Sequence, residues 1–371
     1  MKFVIEKKTI FRSLTHLQSI VDRKNVLPIL SNILIEAKNN ELTMSSTDMD
    51  ISIKENINCE VIEEGATTIN AQLIYDIIKK LHDQSKIEII SNDGKILTLR
   101  SGVSKFSLAC LPKEDFPLIE SKIEGNKLTT KAENIFNLID KTKFAISNEE
   151  TRYFLNGLYF SINNENDKSM LTFVGTDGHR LAKLSIPNST KIDDINGVII
   201  PKKTINELYK LLSENSDDIQ IEINSNKIIF YIGKLILISK LIDGTFPDYK
   251  RVIPKNNNEN LLVNRLNLLS AVDRVSTIVN EKSPVIKFKL FKNLVNLSTF
   301  NKDNSSATED IEADFEGKEI EIGFNAKYIM DMLENLKENE IQLSFMDNSS
   351  PIIAKEKTNP DLIYVLMPMR V

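Results

Sequence analysis

Tryptophan is absent, and cysteine occurs only at Cys59 and Cys110, both inside strand-like runs and without a Cys-x-x-Cys spacing. A disulfide framework and a structural zinc site are therefore not indicated. Histidine is almost as scarce. His16, His82 and His179 lie far apart and none has a metal-binding partner four residues on, so no metal and no cofactor are expected. No phosphate-binding glycine loop or nucleophile motif occurs. Long apolar runs are missing too: the most apolar stretch, residues 227–242, is broken by Gly233, Lys234 and Lys240, too short and too charged to span a bilayer. The opening MKFVIEKKTIF alternates like a strand and lacks the apolar core of a signal peptide, so a cytoplasmic protein with no membrane partner is expected. Acidic residues outnumber basic ones by 52 to 47, a net charge of −5 that argues, taken alone, against a nucleic-acid partner.

What is present is globular: 41% apolar and 27% charged residues over 371 positions, enough for two or three domains with their own cores. One pattern is written three times. The openings MKFVIEKKTIFRSL, NKLTTKAENIFNLI and NLLVNRLNLLSAV each read as a strand running into a helix. The mid-unit segments GATTINAQLIYDIIKKL, NGVIIPKKTINELYKLL and KEIEIGFNAKYIMDMLENL do the same, with Asn70, Pro201 and Asn325 in equivalent places. Closing strands end near Pro117, near Pro247 and at the C-terminal LIYVLMPMRV. Polar connectors then divide the chain into domains at 1–124, 125–257 and 258–371. Leu73, Ile74, Ile77, Ile78 and Leu81 recur at helical spacing, as do Ile329, Met332, Leu333 and Leu336. The other segments alternate with period two. Each unit is expected to be α+β, antiparallel strands backed by two helices on one face.

The segments predicted as helices, 9–24, 70–83, 131–144, 201–212, 264–279 and 325–337, together carry +6, which leaves −11 for the remainder. If the six share one side, that side is basic and suits a phosphate backbone. Lysines that merely solvate helices are equally compatible. The chemically richest stretch is Leu171 to Lys183, LTFVGTDGHRLAK, whose plainer twin is Leu42 to Ile53, LTMSSTDMDISI. Both read as hairpins with Asp at the turn. The second copy alone carries Gly178, His179 and Arg180, open to reading as a solvated turn, an Asp177–His179 acid–base pair or a binding site. Three units could equally stack openly or close on themselves.

With three repeats, LPILSN at Leu27, GATT at Gly65, RYFLNG at Arg152, TDGHRLA at Thr176, DGTFPDYKRVIPK at Asp243 and the terminal YVLMPMRV, the whole chain resembles the sliding-clamp family, the beta subunits of bacterial DNA polymerase III. The resemblance implies three tandem clamp domains, antiparallel sheets outside and two helices per domain inside, closed into a ring as a head-to-tail dimer. It implies a non-catalytic processivity factor that encircles double-stranded DNA without sequence preference. Its implied partners are a second copy, a clamp loader, the polymerase alpha subunit and other polymerases and repair proteins, which dock through a short peptide. Carried over residue by residue, the peptide pocket would comprise Leu155, Thr176, Gly178, His179, Arg180, Leu181, Pro247, Arg251 and Val252, with Val365, Met367, Pro368, Met369, Arg370 and Val371 from the terminus. Arg180, Arg251 and Arg370 would frame it with donors, and the methionines would make its surface adaptable. DNA contacts would fall at Lys24, Gln72, Glu149, Tyr153 and Phe154, and the dimer seam at Phe106 and Leu108 facing the region of Ile278.

Overall fold

The computed structural model describes residues 1–21, 27–117, 119–165, 168–188, 194–279, 284–300 and 305–370. Its first third runs β1 (Lys2–Glu6), α1 (Lys7–Ile20), β2 (Asn32–Lys38), β3 (Glu41–Thr47), β4 (Ile51–Asn58), β5 (Glu60–Glu63), β6 (Gly65–Asn70), α2 (Ala71–Lys80), β7 (Lys86–Ile90), β8 (Ile96–Ser101) and β9 (Ser104–Ala109). The second runs β10 (Asn126–Lys131), α3 (Ala132–Thr142), β11 (Gly157–Glu165), β12 (Lys168–Thr176), β13 (Arg180–Asn188), β14 (Ile195–Pro201), α4 (Lys202–Ser213), β15 (Asp218–Ile223), β16 (Lys227–Ile232) and β17 (Leu235–Lys240). The third runs β18 (Glu259–Asn264), α5 (Arg265–Ser276), β19 (Val285–Phe291), β20 (Leu294–Phe300), β21 (Ser306–Phe315), β22 (Ile320–Asn325), α6 (Ala326–Asn335), β23 (Glu340–Phe345), β24 (Ile352–Lys355) and β25 (Ile363–Leu366).

Three of the helices, α2, α5 and α6, start at an asparagine cap. Asn70, Asn264 and Asn325 each accept a backbone N–H of the first turn of α2, α5 and α6, satisfying a donor the helix cannot pair internally. At the other end, carbonyls left over by α2 are taken by the buried Lys7, whose Nζ donates to Lys79 O, Leu81 O and the Asp83 carboxylate. Arg265 does the same for α6, donating to Leu333 O and Glu338 O. The predicted apolar stripe of α6 is buried throughout, but that of α2 is narrower than its spacing suggested. Ile74 and Ile78 face the core while Leu73 is 44% exposed.

Two compact units emerge. One comprises Met1–Ile135 and Lys203–Leu241, the other Phe136–Lys202 and Ile242–Val371. The first contains a five-stranded sheet, β5-β1-β7-β8-β9, and an eight-stranded sheet, β10-β15-β16-β17-β4-β3-β2-β6. The second contains a twelve-stranded sheet, β14-β11-β12-β13-β25-β24-β23-β18-β21-β20-β19-β22. Among the described residues the ladders between these strands are antiparallel, as the period-two alternation predicted. In both sheets a closing strand of one repeat pairs with a hairpin strand of the preceding repeat: β17 with β4, from Leu235↔Glu55 to Ser239↔Ile51, and β25 with β13, from Arg180↔Leu366 to Lys183↔Ile363. Among the described residues β9 has a strand neighbour, β8, on one side only.

The six observed helices carry net charges of +3, +1, −1, +2, +1 and −1, together +5, which leaves −10 for the rest of the chain. The segregation inferred from sequence keeps its sign.

Candidate functional site

The two Thr-Asp turns share one hydrogen-bond scheme. Asp48 Oδ1 accepts the backbone N–H groups of Asp50 and Ile51, and Asp177 Oδ1 accepts those of His179 and Arg180. Thr47 Oγ1 donates to Ile51 O as Thr176 Oγ1 does to Arg180 O. These side chains replace the backbone bonds a tight turn forgoes. Asp177 is thereby committed to the turn, not to His179 as an acid–base partner: its second oxygen accepts Arg180 Nε at 3.1 Å.

Arg180 is where the second copy departs from its twin. The sequence reading gave it donors for a ligand. Instead the guanidinium is buried, 8% exposed, and donates from Nη1 to Asp331 Oδ2 at 2.5 Å and from Nη2 to Phe144 O at 2.7 Å. It also lies 4.4 Å from the Tyr328 ring centre, a cation–π distance. Arg180 therefore ties the turn to α6 and to residues 143–145, since two carboxylates and a carbonyl in a poorly solvated site hold a guanidinium firmly. His179 stays exposed, its ring centre 6.4 Å from that of Tyr328. Burial, with Asp177's charge behind it, raises the Tyr328 phenol above its ordinary pKa. These groups line a cavity of about 650 Å³ together with Ser147, Asn325 and Met330.

Beside the turn, Leu155, Val174, Leu181, Ile199, Phe246, Tyr249 and Val365 form one buried apolar cluster. Tyr159 stacks on Phe246 at 4.9 Å between ring centres and lies 5.9 Å from Tyr249. The register explains how the C-terminal strand arrives there: Leu181 is opposite Val365, and Met367 N then donates to His179 O at 2.8 Å. Met369 N goes on to bond Gly323 O. Of the residues assigned to a peptide pocket, Leu155, Leu181 and Val365 are thus brought together as core, with Thr176, Gly178, His179 and Met367 alongside. Met367 is 39% and Val252 43% exposed. Pro247 and Arg370 are exposed, and Pro368 and Met369 half-buried. Arg251 pairs with Asp248 at 2.8 Å while remaining 86% exposed, so it keeps donors for a ligand where Arg180 does not. Val371 lies outside the described residues.

The DNA assignments fare unevenly. Lys24 lies outside the described residues. Tyr153 presents its ring, 54% exposed, while the half-buried Phe154 packs against the apolar cluster. Gln72 donates its amide to Asp76 at 2.9 Å. Glu149 is ion-paired with Arg152 at 2.8 Å, a bond that lowers its carboxyl pKa. At the expected seam, Phe106 is half-buried and Leu108 buried on the edge strand β9, and Ile278 is half-buried just after α5. Among the described residues no cluster of three or more His, Cys, Asp or Glu suits a metal ion. Burial, aided by the Glu41 charge, pushes the Cys59 thiol up to about 11, which suppresses thiolate chemistry.

Family models for the N-terminal, central and C-terminal domains of the DNA polymerase III beta subunit match residues 1–120, 129–248 and 250–370. The chain belongs to that family. The beta sliding clamp of Caulobacter vibrioides is 39% identical and that of Pseudomonas aeruginosa 32%, each aligned over 100% of both chains. The crystallised clamp of Bartonella birtlesii, bound to griselimycin, superposes with a TM-score of 0.96 at 40% identity over both full chains. The chain is accordingly a DNA sliding clamp, a non-catalytic subunit that gives a polymerase its processivity. Sequence reasoning missed Tyr328 and Asp331 because their link to the turn is tertiary. It quoted Phe246 and Tyr249 inside DGTFPDYK without giving them a role, although paired aromatics in a polar connector were the available signal.

Proposed function

We propose that two copies close head to tail into a ring around duplex DNA, each contributing domains at 1–124, 125–257 and 258–371, and that the ring works in the cytoplasm. One observation carries the reading. The second and third repeats each lay their closing strand, β17 or β25, against the hairpin strand β4 or β13 of the repeat before. Among the described residues the corresponding strand of the first repeat, β9, has a free edge, and residues 306–312 of β21 have β20 as their partner on one side only. A second copy satisfies both edges at once, and Phe106 and Leu108 then enter a shared core near Ile278. Helix charge of +5 against −10 elsewhere favours DNA on the helical side. None of the described helices is long and apolar enough to cross a membrane.

The clamp loader, the polymerase alpha subunit and other DNA-handling proteins dock by inserting a peptide over the Leu155, Leu181 and Val365 cluster, with Met367 and Val252 as its exposed apolar rim and Arg251 and Arg370 as donors. Retention on DNA tests the ring. After loading, the protein is expected to stay on a nicked circular plasmid and to be lost from the same plasmid linearised at moderate salt. Equal loss from both sinks the topological reading.

A further inference from the structure

On the reading that β9 of one copy meets β21 of the next, we propose that the seam between copies is fastened by a charged clasp of Arg274 and Glu309 from one copy and Asp83 from the other. The structure holds the same device once, complete, within the chain. His16 is 9% exposed; its Nδ1 lies 3.0 Å from Glu55 on β4 and its Nε2 3.5 Å from Glu214, the residue after α4, which also accepts Arg12 Nε at 3.2 Å. The imidazole thus bridges its own repeat to the end of the next repeat's second helix.

Each member of this clasp has a counterpart at the open seam. His16, Lys141 and Arg274 are all the tenth residue of the first helix of their repeat. Lys141 likewise reaches the end of the following repeat's second helix, though its acceptor is the backbone carbonyl of Asn335, the last residue of α6, and not a carboxylate. Arg274, on α5 of the third repeat, instead meets a strand of its own repeat. It forms a two-pronged pair with Glu309, Nε to Oε2 at 3.0 Å and Nη2 to Oε1 at 2.5 Å, and remains 60% exposed. Glu309 occupies on β21 the place that Glu55 occupies on β4: the hairpins close at Thr47↔Ser52 and Phe300↔Ser306, and each glutamate follows three residues later. The third member follows the same count, because Glu214 and Asp83 each lie thirteen residues beyond the matching positions Pro201 and Asn70. Asp83 is 96% exposed, with Lys7 on Oδ1 at 2.7 Å. The two bonds to Glu309 use two of the guanidinium's five N–H donors, so Arg274 can also hold Asp83 of a second copy.

The test is a double-mutant cycle on the dimer dissociation constant of the full chain, measured by analytical ultracentrifugation at low salt. Arg274→Gln and Asp83→Asn are each expected to raise that constant about ten-fold, and the pair together also about ten-fold instead of a hundred-fold. His16→Gln, which breaks only the clasp inside the chain, is expected to leave it unchanged and controls for general loosening. Additive effects, or no effect from either single variant in a protein that still dimerises, would overturn the clasp while leaving the β9–β21 seam standing. A wild-type chain that sediments as a monomer at micromolar concentration would overturn both.

Discussion

Gly178 and Met49 occupy the same place in two copies of one turn, with positive φ of 87° and 81°, yet the chain needs glycine at only one of them. A Cβ on Gly178 would stand 2.5 Å from Arg152 Nη1, whereas Met49 projects into solvent. Gly178→Ala should therefore cost about 1–2 kcal/mol and displace Arg152 from Glu149, while Met49→Gly should stabilise by on the order of 0.5 kcal/mol, both read from chemical denaturation. Arg180→Ala should cost about 3 kcal/mol or more on the same measurement, because it strands Asp177 and Asp331. His16 sets a pH dependence. Burial opposes its charge, but hydrogen bonds and charge from Glu55 and Glu214 outweigh burial and raise its pKa above 6.5. A raised folded-state pKa means that its contribution is fully present below the unfolded value and is lost as pH rises through the folded one. The stability gap between the wild-type chain and His16→Gln should be widest near pH 5.5 and narrow steadily toward pH 9. A gap that does not change with pH would show that the imidazole is neutral throughout.

At the scale of elements, the Asp turns were read from the sequence because their signal is local. The Asn caps carry an equally local signal, which the repeat alignment of Asn70 and Asn325 did not turn into a cap assignment. A short polar side chain bonds backbone two or three residues away, so spacing alone reports it. Asn70→Ala or Asn264→Ala should each cost about 1 kcal/mol in thermal unfolding, with no comparable cap to lose at Pro201. What was not legible is tertiary. Phe154 sits in a motif next to the exposed Tyr153 and turns the other way, into the apolar cluster, which no periodicity in a 3₁₀ segment reveals. Arg180 looked like an exposed turn cation because Asp331, Phe144 and Tyr328 are supplied from distant parts of the chain. The chain end after β25, proposed to rim a peptide site, is a further element with its own test. Removing residues 367–371 should abolish binding of a clamp-binding peptide, followed by fluorescence anisotropy, while stability to unfolding is only slightly weakened, because β25 ends at Leu366 and the deletion costs the Met367–His179 and Met369–Gly323 backbone bonds.

On the scale of the whole molecule, the repeat was visible in the sequence, but which strand pairs across repeat borders was not. Residues 235–239 and 51–55 carry no mutual signal beyond matching apolar faces, and a net charge of −5 hides the basic helices. If those helices face DNA, raising salt should shorten the residence of a clamp that can slide off an open end and leave that of a clamp on a closed circle nearly unchanged. Single-molecule imaging of both substrates distinguishes the two.

The strand ladders that join successive repeats should make covalent continuity dispensable there. A cut in the connector near residues 254–259 leaves the C-terminal piece held by the four β13–β25 pairs, by Arg180 on Asp331 and by Lys141 on Asn335. A cut near residues 119–125 leaves the β4–β17 ladder and Lys203 on Asp48. A protease-nicked chain should elute as one species, and fragments expressed separately should reassemble, so the polypeptide's own repeat borders are interfaces that happen to be tethered.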